Sequence, residues 1–138
     1  MNEPYLYYVS PDDVDQYWFL VEHKLGNAIE YSNRKYSLTS VYDAIKQGTM
    51  CLWLVKITYD ILAVCVTEIV DYPDKRVCLI MFVGGEDFKA YQHLTDEIKH
   101  YAKTMKCKGI EFYGRHGWLK KVAKLGFKHL HSVFGMEL

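Results

Sequence analysis

Three apolar segments follow one another with almost nothing between them. They are Met50–Thr58 (MCLWLVKIT), Ile61–Val70 (ILAVCVTEIV) and Arg76–Val83 (RVCLIMFV). Two residues, Tyr59-Asp60, join the first pair, and Asp71–Lys75, with its Pro73, joins the second. Connections this short force consecutive strands to run antiparallel. A proline inside the second turn fixes φ and suits a turn position. The segments are nearly continuous in apolar residues rather than alternating. That pattern belongs to a sheet covered on both faces, here by helices.

The flanking sequence supplies those helices. Tyr5–Val9 reads as a first strand. Ser10-Pro11-Asp12-Asp13 then gives a cap, a proline at the first helical position and acidic groups that favour the helix dipole. Val14, Tyr17, Trp18, Val21, Leu25 and Ala28 fall on one face at helical spacing, and Gly26-Asn27 weakens that helix near its end. A second helix is expected from Ser40 to Gln47, stopped by Gly48. After the three strands, Gly84-Gly85 breaks the chain. Glu86 or Asp87 caps one long helix ending near Lys106, with Phe88, Tyr91, Leu94, Ile98, Tyr101, Ala102 and Met105 as its buried stripe. Gly109–Tyr113 is another strand. His116-Gly117 turns into a short helix, Trp118–Lys124, which stops at Gly126, and Phe127–Leu138 is expected to form a last strand or strand pair. The order β-α-α-β-β-β-α-β-α-β describes one α+β domain over residues 1–138, a mixed but mostly antiparallel sheet with helices on both faces.

Composition narrows the class further. Half of the residues are hydrophobic and 15% are aromatic, enough for a real core and far from disorder. No apolar run approaches a membrane span. The start, MNEPYLYYVS, has no basic leader region and no small-residue cleavage site, so the expectation is a cytoplasmic protein. Cys51, Cys65, Cys78 and Cys107 form no C-x-x-C pair and read as buried free thiols of a reducing compartment. Charge is split along the chain. There are 8 Lys/Arg against 15 Asp/Glu through Ile98, and 9 against 2 from Lys99 onward. Such a split can build a dipolar surface with one face suited to anions, unless the halves interleave in the fold.

The strand–helix–stop unit IEFYGRHGWLKKVAKLGF (Ile110–Phe127), the Ser10-Pro11 helix entry and the Gly-Gly after the third meander strand carry a resemblance. In that order and spacing they resemble the GNAT superfamily of N-acetyltransferases. The chain also looks like small acetyltransferase-like proteins of tailed phages. The GNAT resemblance implies acetyl-CoA in a V-shaped opening between the fourth and fifth strands, its pyrophosphate on backbone N–H groups at the start of the third main helix. The family signature there is Arg or Gln, two residues, Gly, one residue, then Gly or Ala. This chain has Val83-Gly84-Gly85-Glu86-Asp87-Phe88-Lys89-Ala90. The glycines would let backbone approach the phosphates. Glu86 and Asp87, however, put negative charge there, and Phe88 and Tyr91 add bulk where small residues are usual. The family's tyrosine acid, four residues before the Gly of the Gly-Phe stop, is replaced by Val122. Its strand-borne glutamate base is also absent from RVCLIMFV, which leaves Glu68 on the preceding strand as the nearest carboxylate. Burial there would raise its pKa toward base work. The competing reading pairs Glu68 with Arg76 or Lys75 across the hairpin.

The sequence supports two functional readings. In the first, these departures mark a catalytically reduced member acting as a structural or interaction component. If the phage resemblance holds, that would be a virion or host-interaction protein, located in the virion or host cytoplasm. Protein partners are then expected, or DNA or another acidic partner through the basic C-terminal third. In the second, the chain is an acetyl-CoA-dependent N-acetyltransferase acting on a small amine or a lysine. Gly84, Gly85, Arg115, Lys120 and Lys121 would then hold the cofactor, and Glu68 would be the base. Direct attack depends mainly on positioning, so the departures do not exclude it. Acetyl-CoA is the cofactor only in this second reading. No metal centre is expected: His93, Glu97 and His100 sit on the polar side of a helix, and His129 and His131 lack an acidic or Cys partner.

Overall fold

The computed structural model describes residues 3–138; Met1 and Asn2, part of the stretch read as lacking a leader, lie outside it. Five strands form one sheet: β1 (Tyr5–Val9), β2 (Met50–Ile57), β3 (Asp60–Asp71), β4 (Arg76–Gly85) and β5 (Gly109–Phe112). They lie in the order β1-β2-β3-β4-β5. The first three pairings are antiparallel and β4–β5 is parallel, as a meander followed by a helical crossover requires. The mixed α+β sheet is the one expected.

Helices cover both faces. On one face α1 (Val14–Ile29) and α2 (Leu38–Lys46) bury Val21, Leu25, Val41 and Ile45 against Leu52, Val64, Val66 and Leu79. On the other, α3 (Phe88–Tyr91), α4 (Thr95–Thr104) and α5 (Leu119–Val122) contribute Tyr91, Ile98, Ala102 and Val122. Trp53 belongs to this second face. Its ring meets Tyr8 and Tyr101 edge-on, and its indole N–H donates to the fully buried Thr67 hydroxyl at 2.9 Å.

Several boundaries differ from expectation. Gly26 does not end α1, which runs to Ile29 and continues as a 3₁₀ turn over Glu30–Ser32. The Ser10 cap opens a 3₁₀ turn rather than α1 itself. Ser10 accepts from the Asp12 N–H at the head of that turn, Pro11–Asp13. The α2 cap is Ser37 rather than Ser40. The two serines exchange side-chain and backbone hydrogen bonds at 3.1 and 2.9 Å. The long helix after Gly85 is three pieces, α3, a 3₁₀ turn over Gln92–Leu94, and α4. Phe88, Tyr91 and Leu94 are spaced by three, which a 3₁₀ geometry eclipses and an α-helix only keeps on one face.

The last strand is absent. Phe127 packs its ring against Phe112, after which residues 128–138 form no strand and expose Leu130, Val133, Phe134 and Met136. β5 is four residues long, too short a template to hold a partner eleven residues in length. The four cysteines are free, with Cys65 and Cys78 buried and Cys51 and Cys107 only half-buried. Among the described residues, no helix is long and apolar enough to cross a membrane.

One close approach sets the spacing of the layers. A Cβ on Gly84 would drive into the Lys24 carbonyl of α1. Gly84→Ala should therefore lower stability by about 1–3 kcal/mol, the usual range for overpacking, read as a lower thermal midpoint. Thr67→Val should cost a similar amount, about 1–3 kcal/mol, by leaving the buried Trp53 N–H without an acceptor.

Candidate active site

The site begins with a bulge in β4. Thr67 of β3 pairs with Ile80, but Val66 pairs with Phe82, so Met81 is an extra residue. In consequence Met81 and Phe82 both pack on the α1 side. The same point is where β5 leaves. Its register with β4 ends at Ile80↔Phe112, closed by the Tyr113 N–H donating to the Ile80 carbonyl at 3.1 Å. β4 continues with β3 to Gly85. The residues Met81–Gly85 thus keep one strand neighbour and lose the other.

A cavity of about 700 Å³ opens in that gap. Met81–Asp87 form one wall, and Phe112–Arg115 with Trp118 form another. The end of α1 and the turn after it close the third side with His23, Lys24, Asn27, Glu30 and Tyr31. Arg115 reaches across, its guanidinium 3.8 Å from the centre of the Tyr31 ring. Trp118 meets Phe88 and Phe112, each with ring centres 5.2 Å apart. This aromatic bridge links the start of α3 to the turn before α5.

A second, apolar slot of about 60 Å³ lies on the opposite face of the sheet. Ile80, Phe88, Tyr91 and Val122 line it, and it shares Val83 and Phe112 with the larger cavity. The two spaces therefore meet at the strand gap.

Of the residues singled out from sequence, Gly84, Gly85 and Arg115 come together in the cavity wall. Lys121 stands beside it, its ammonium 4.7 Å from the centre of the Trp118 ring. Lys120 is exposed and does not line the cavity. Glu68 does not line it either. It pairs with Met50 and Leu79, two residues short of where the wall begins at Met81. Burial raises its carboxyl pKa. The cross-hairpin ion pair does not form, because Arg76 instead bonds Asp71 at 2.8 Å and the Met105 carbonyl at 2.7 Å. His93, Glu97, His100, His129 and His131 are exposed. Among the described residues, no group of three or more His, Cys, Asp or Glu is placed to hold a metal ion.

Sequence reasoning missed the α1 contribution. His23, Lys24 and Tyr31 follow the buried Val21 and Leu25 on a helix whose end happens to meet the end of β4. Only the tertiary crossing reveals them. Tyr113, also in the wall, has its phenol pKa pushed up to about 12, chiefly by partial desolvation and then by the neighbouring Tyr72 hydroxyl.

No family model and no curated protein matches the sequence. Solved structures do match in shape over almost the whole chain. A ribosomal-protein-alanine N-acetyltransferase from Brucella melitensis aligns at TM-score 0.72 and 8% identity, covering 98% of this chain and 99% of that one. An aminoglycoside N-acetyltransferase in complex with CoA aligns at TM-score 0.72 and 10% identity, covering 100% and 96%. A transcriptional regulator from Bacillus halodurans aligns at TM-score 0.72 and 16% identity, covering 99% and 100%. None of the three is named as a phage or virion protein. The fold is that of the GNAT N-acetyltransferases.

The gap leaves one edge of β4 unpaired beyond Ile80. The start of α3 does not reproduce the family's diphosphate signature. α3 is a single turn, Asp87 before it is left-handed at φ 60°, and no side chain caps it. The positive groups of the cavity are Lys24 and Arg115 instead. A ligand that parts the aromatic bridge should change Trp118 emission. Trp118→Phe should abolish that change while Trp18 and Trp53 still report the folded state.

Proposed function

We propose that this chain is an acetyl-CoA-dependent N-acetyltransferase acting on a small amine or a lysine side chain. The observation that carries the reading is the split of β4 from β5 at Ile80, with a cavity of about 700 Å³ in the opening. Shape neighbours described as acetyltransferases favour this over a purely structural role. Lys24 and Arg115 would hold the diphosphate, while Gly85 and the unpaired edge of Met81–Val83 would admit the arm. The cofactor supplies an activated thioester. Attack by the amine nitrogen on its carbonyl carbon breaks the C–S bond and releases a thiol, and the nitrogen gives up one proton.

The cavity's groups able to take that proton are His23, Glu30, Glu86 and Asp87. Two of these lie on the α1 side and two on the β4 side, so the acceptor amine is drawn to a wall that is acidic at both ends. Positioning of this kind can supply several kcal/mol of rate without a dedicated acid. It accounts for a site that works with Val122 where a tyrosine is usual.

Calorimetry with acetyl-CoA and CoA should show micromolar binding, and thiol release should appear with a panel of amines. Arg115→Ala should weaken binding about tenfold, the loss of one charge-assisted contact of about 1.5 kcal/mol. Glu68→Gln should not show the loss of about 10²-fold or more that removal of a general base produces. No binding and no thiol release would end the proposal.

A further inference from the structure

Among the described residues, one buried side-chain polar atom has no hydrogen-bond partner, the Tyr91 hydroxyl. Tyr91 is only 5% exposed and lines the apolar slot on the α3 side of the sheet. Its neighbours there are mainly apolar, Val55, Ala63, Ile80, Val83 and Leu94 among them; Cys65 and Thr95 also line the slot, yet neither bonds the hydroxyl. An orphaned hydroxyl is costly, and phenylalanine would fill the same space without it. Stability alone therefore does not explain a tyrosine here. The slot meets the larger cavity at Val83 and Phe112, where β4 and β5 have parted. Phe88 forms part of its wall and meets edge-on the ring of Trp118, which belongs to the larger cavity. The slot that Tyr91 lines thus adjoins the strand gap.

We propose that the Tyr91 hydroxyl is a ligand-binding group, which donates a hydrogen bond to a carbonyl oxygen of an acyl-CoA arm lodged in the strand gap. This rests on the function proposed above and names the residue that fixes the arm. The donor role comes from the surroundings. Burial first, then the neighbouring Cys65 and Asp87, push the phenol up to about 12, so it keeps its proton across the neutral range. A mainly apolar slot with an unpaired donor recognises an otherwise apolar segment with one acceptor. An amide of the pantetheine portion and the thioester itself both answer that description.

The experiment compares wild type and Tyr91→Phe by thermal denaturation without ligand and by calorimetry with acetyl-CoA and with CoA. The expected result has two parts. The free variant melts at the same temperature as wild type or higher, because an unpaired hydroxyl has been removed. Binding weakens about five- to tenfold, the worth of one neutral hydrogen bond of about 1–1.4 kcal/mol. Equal weakening for both ligands assigns the bond to a pantetheine amide, and weakening for acetyl-CoA alone assigns it to the thioester carbonyl. Wild type binding tightly while Tyr91→Phe binds as well would overturn the inference and leave the transferase reading intact. A lower melting point for the free variant would overturn it too, since the hydroxyl would then be satisfied within the protein or by water. Failure of wild type to bind either ligand would sink both readings.

Discussion

An extra residue in one strand governs the architecture of the site. Met81 cannot be accommodated opposite β3 in the regular ladder, so it and Phe82 turn to the same face. The bend falls at the residue where β5 stops pairing. A bulge increases local twist and re-aims the strand beyond it. Beyond Met81 lies a strand end with one edge open, and every part of the candidate site is arranged around that edge. α1 lies against it through Gly84, Arg115 reaches over it, and the Phe88–Trp118 contact spans it.

The strands are legible in the sequence because each is an apolar run closed by a short turn. β2, β3 and β4 begin and end within two residues of where the pattern puts them. The bulge is not legible. RVCLIMFV is apolar throughout, so no alternation exists in which an added residue would show. The broken helix after Gly85 is partly written in the spacing of Phe88, Tyr91 and Leu94, but an α-helical reading absorbs that spacing as a wide stripe. The C-terminal segment shows the opposite failure. Its place after the Gly126 stop promises a strand, but pairing depends on a template that β5, at four residues, does not extend to it.

The site is legible to the degree that it is local. Gly84 and Gly85 announce a break, and Arg115 sits in a turn that any strand-to-helix junction exposes. His23, Lys24 and Tyr31 belong to an ordinary amphipathic helix and acquire a role only where its end crosses β4. Tyr91 looks like a core residue by every sequence criterion, and its packing agrees. Only the missing hydrogen-bond partner distinguishes it. Glu68 stands out as a carboxylate inside an apolar strand, and burial does raise its pKa, yet its register keeps it off the cavity wall.

The contact between α1 and β4 is made main chain to main chain, at a residue with no side chain of its own. The frame of the opening is therefore indifferent to what decorates it. Residues such as His23, Asn27 and Tyr31 can drift without the width of the aperture changing, while the glycine beneath them cannot. Aperture and lining are therefore set by different parts of the molecule.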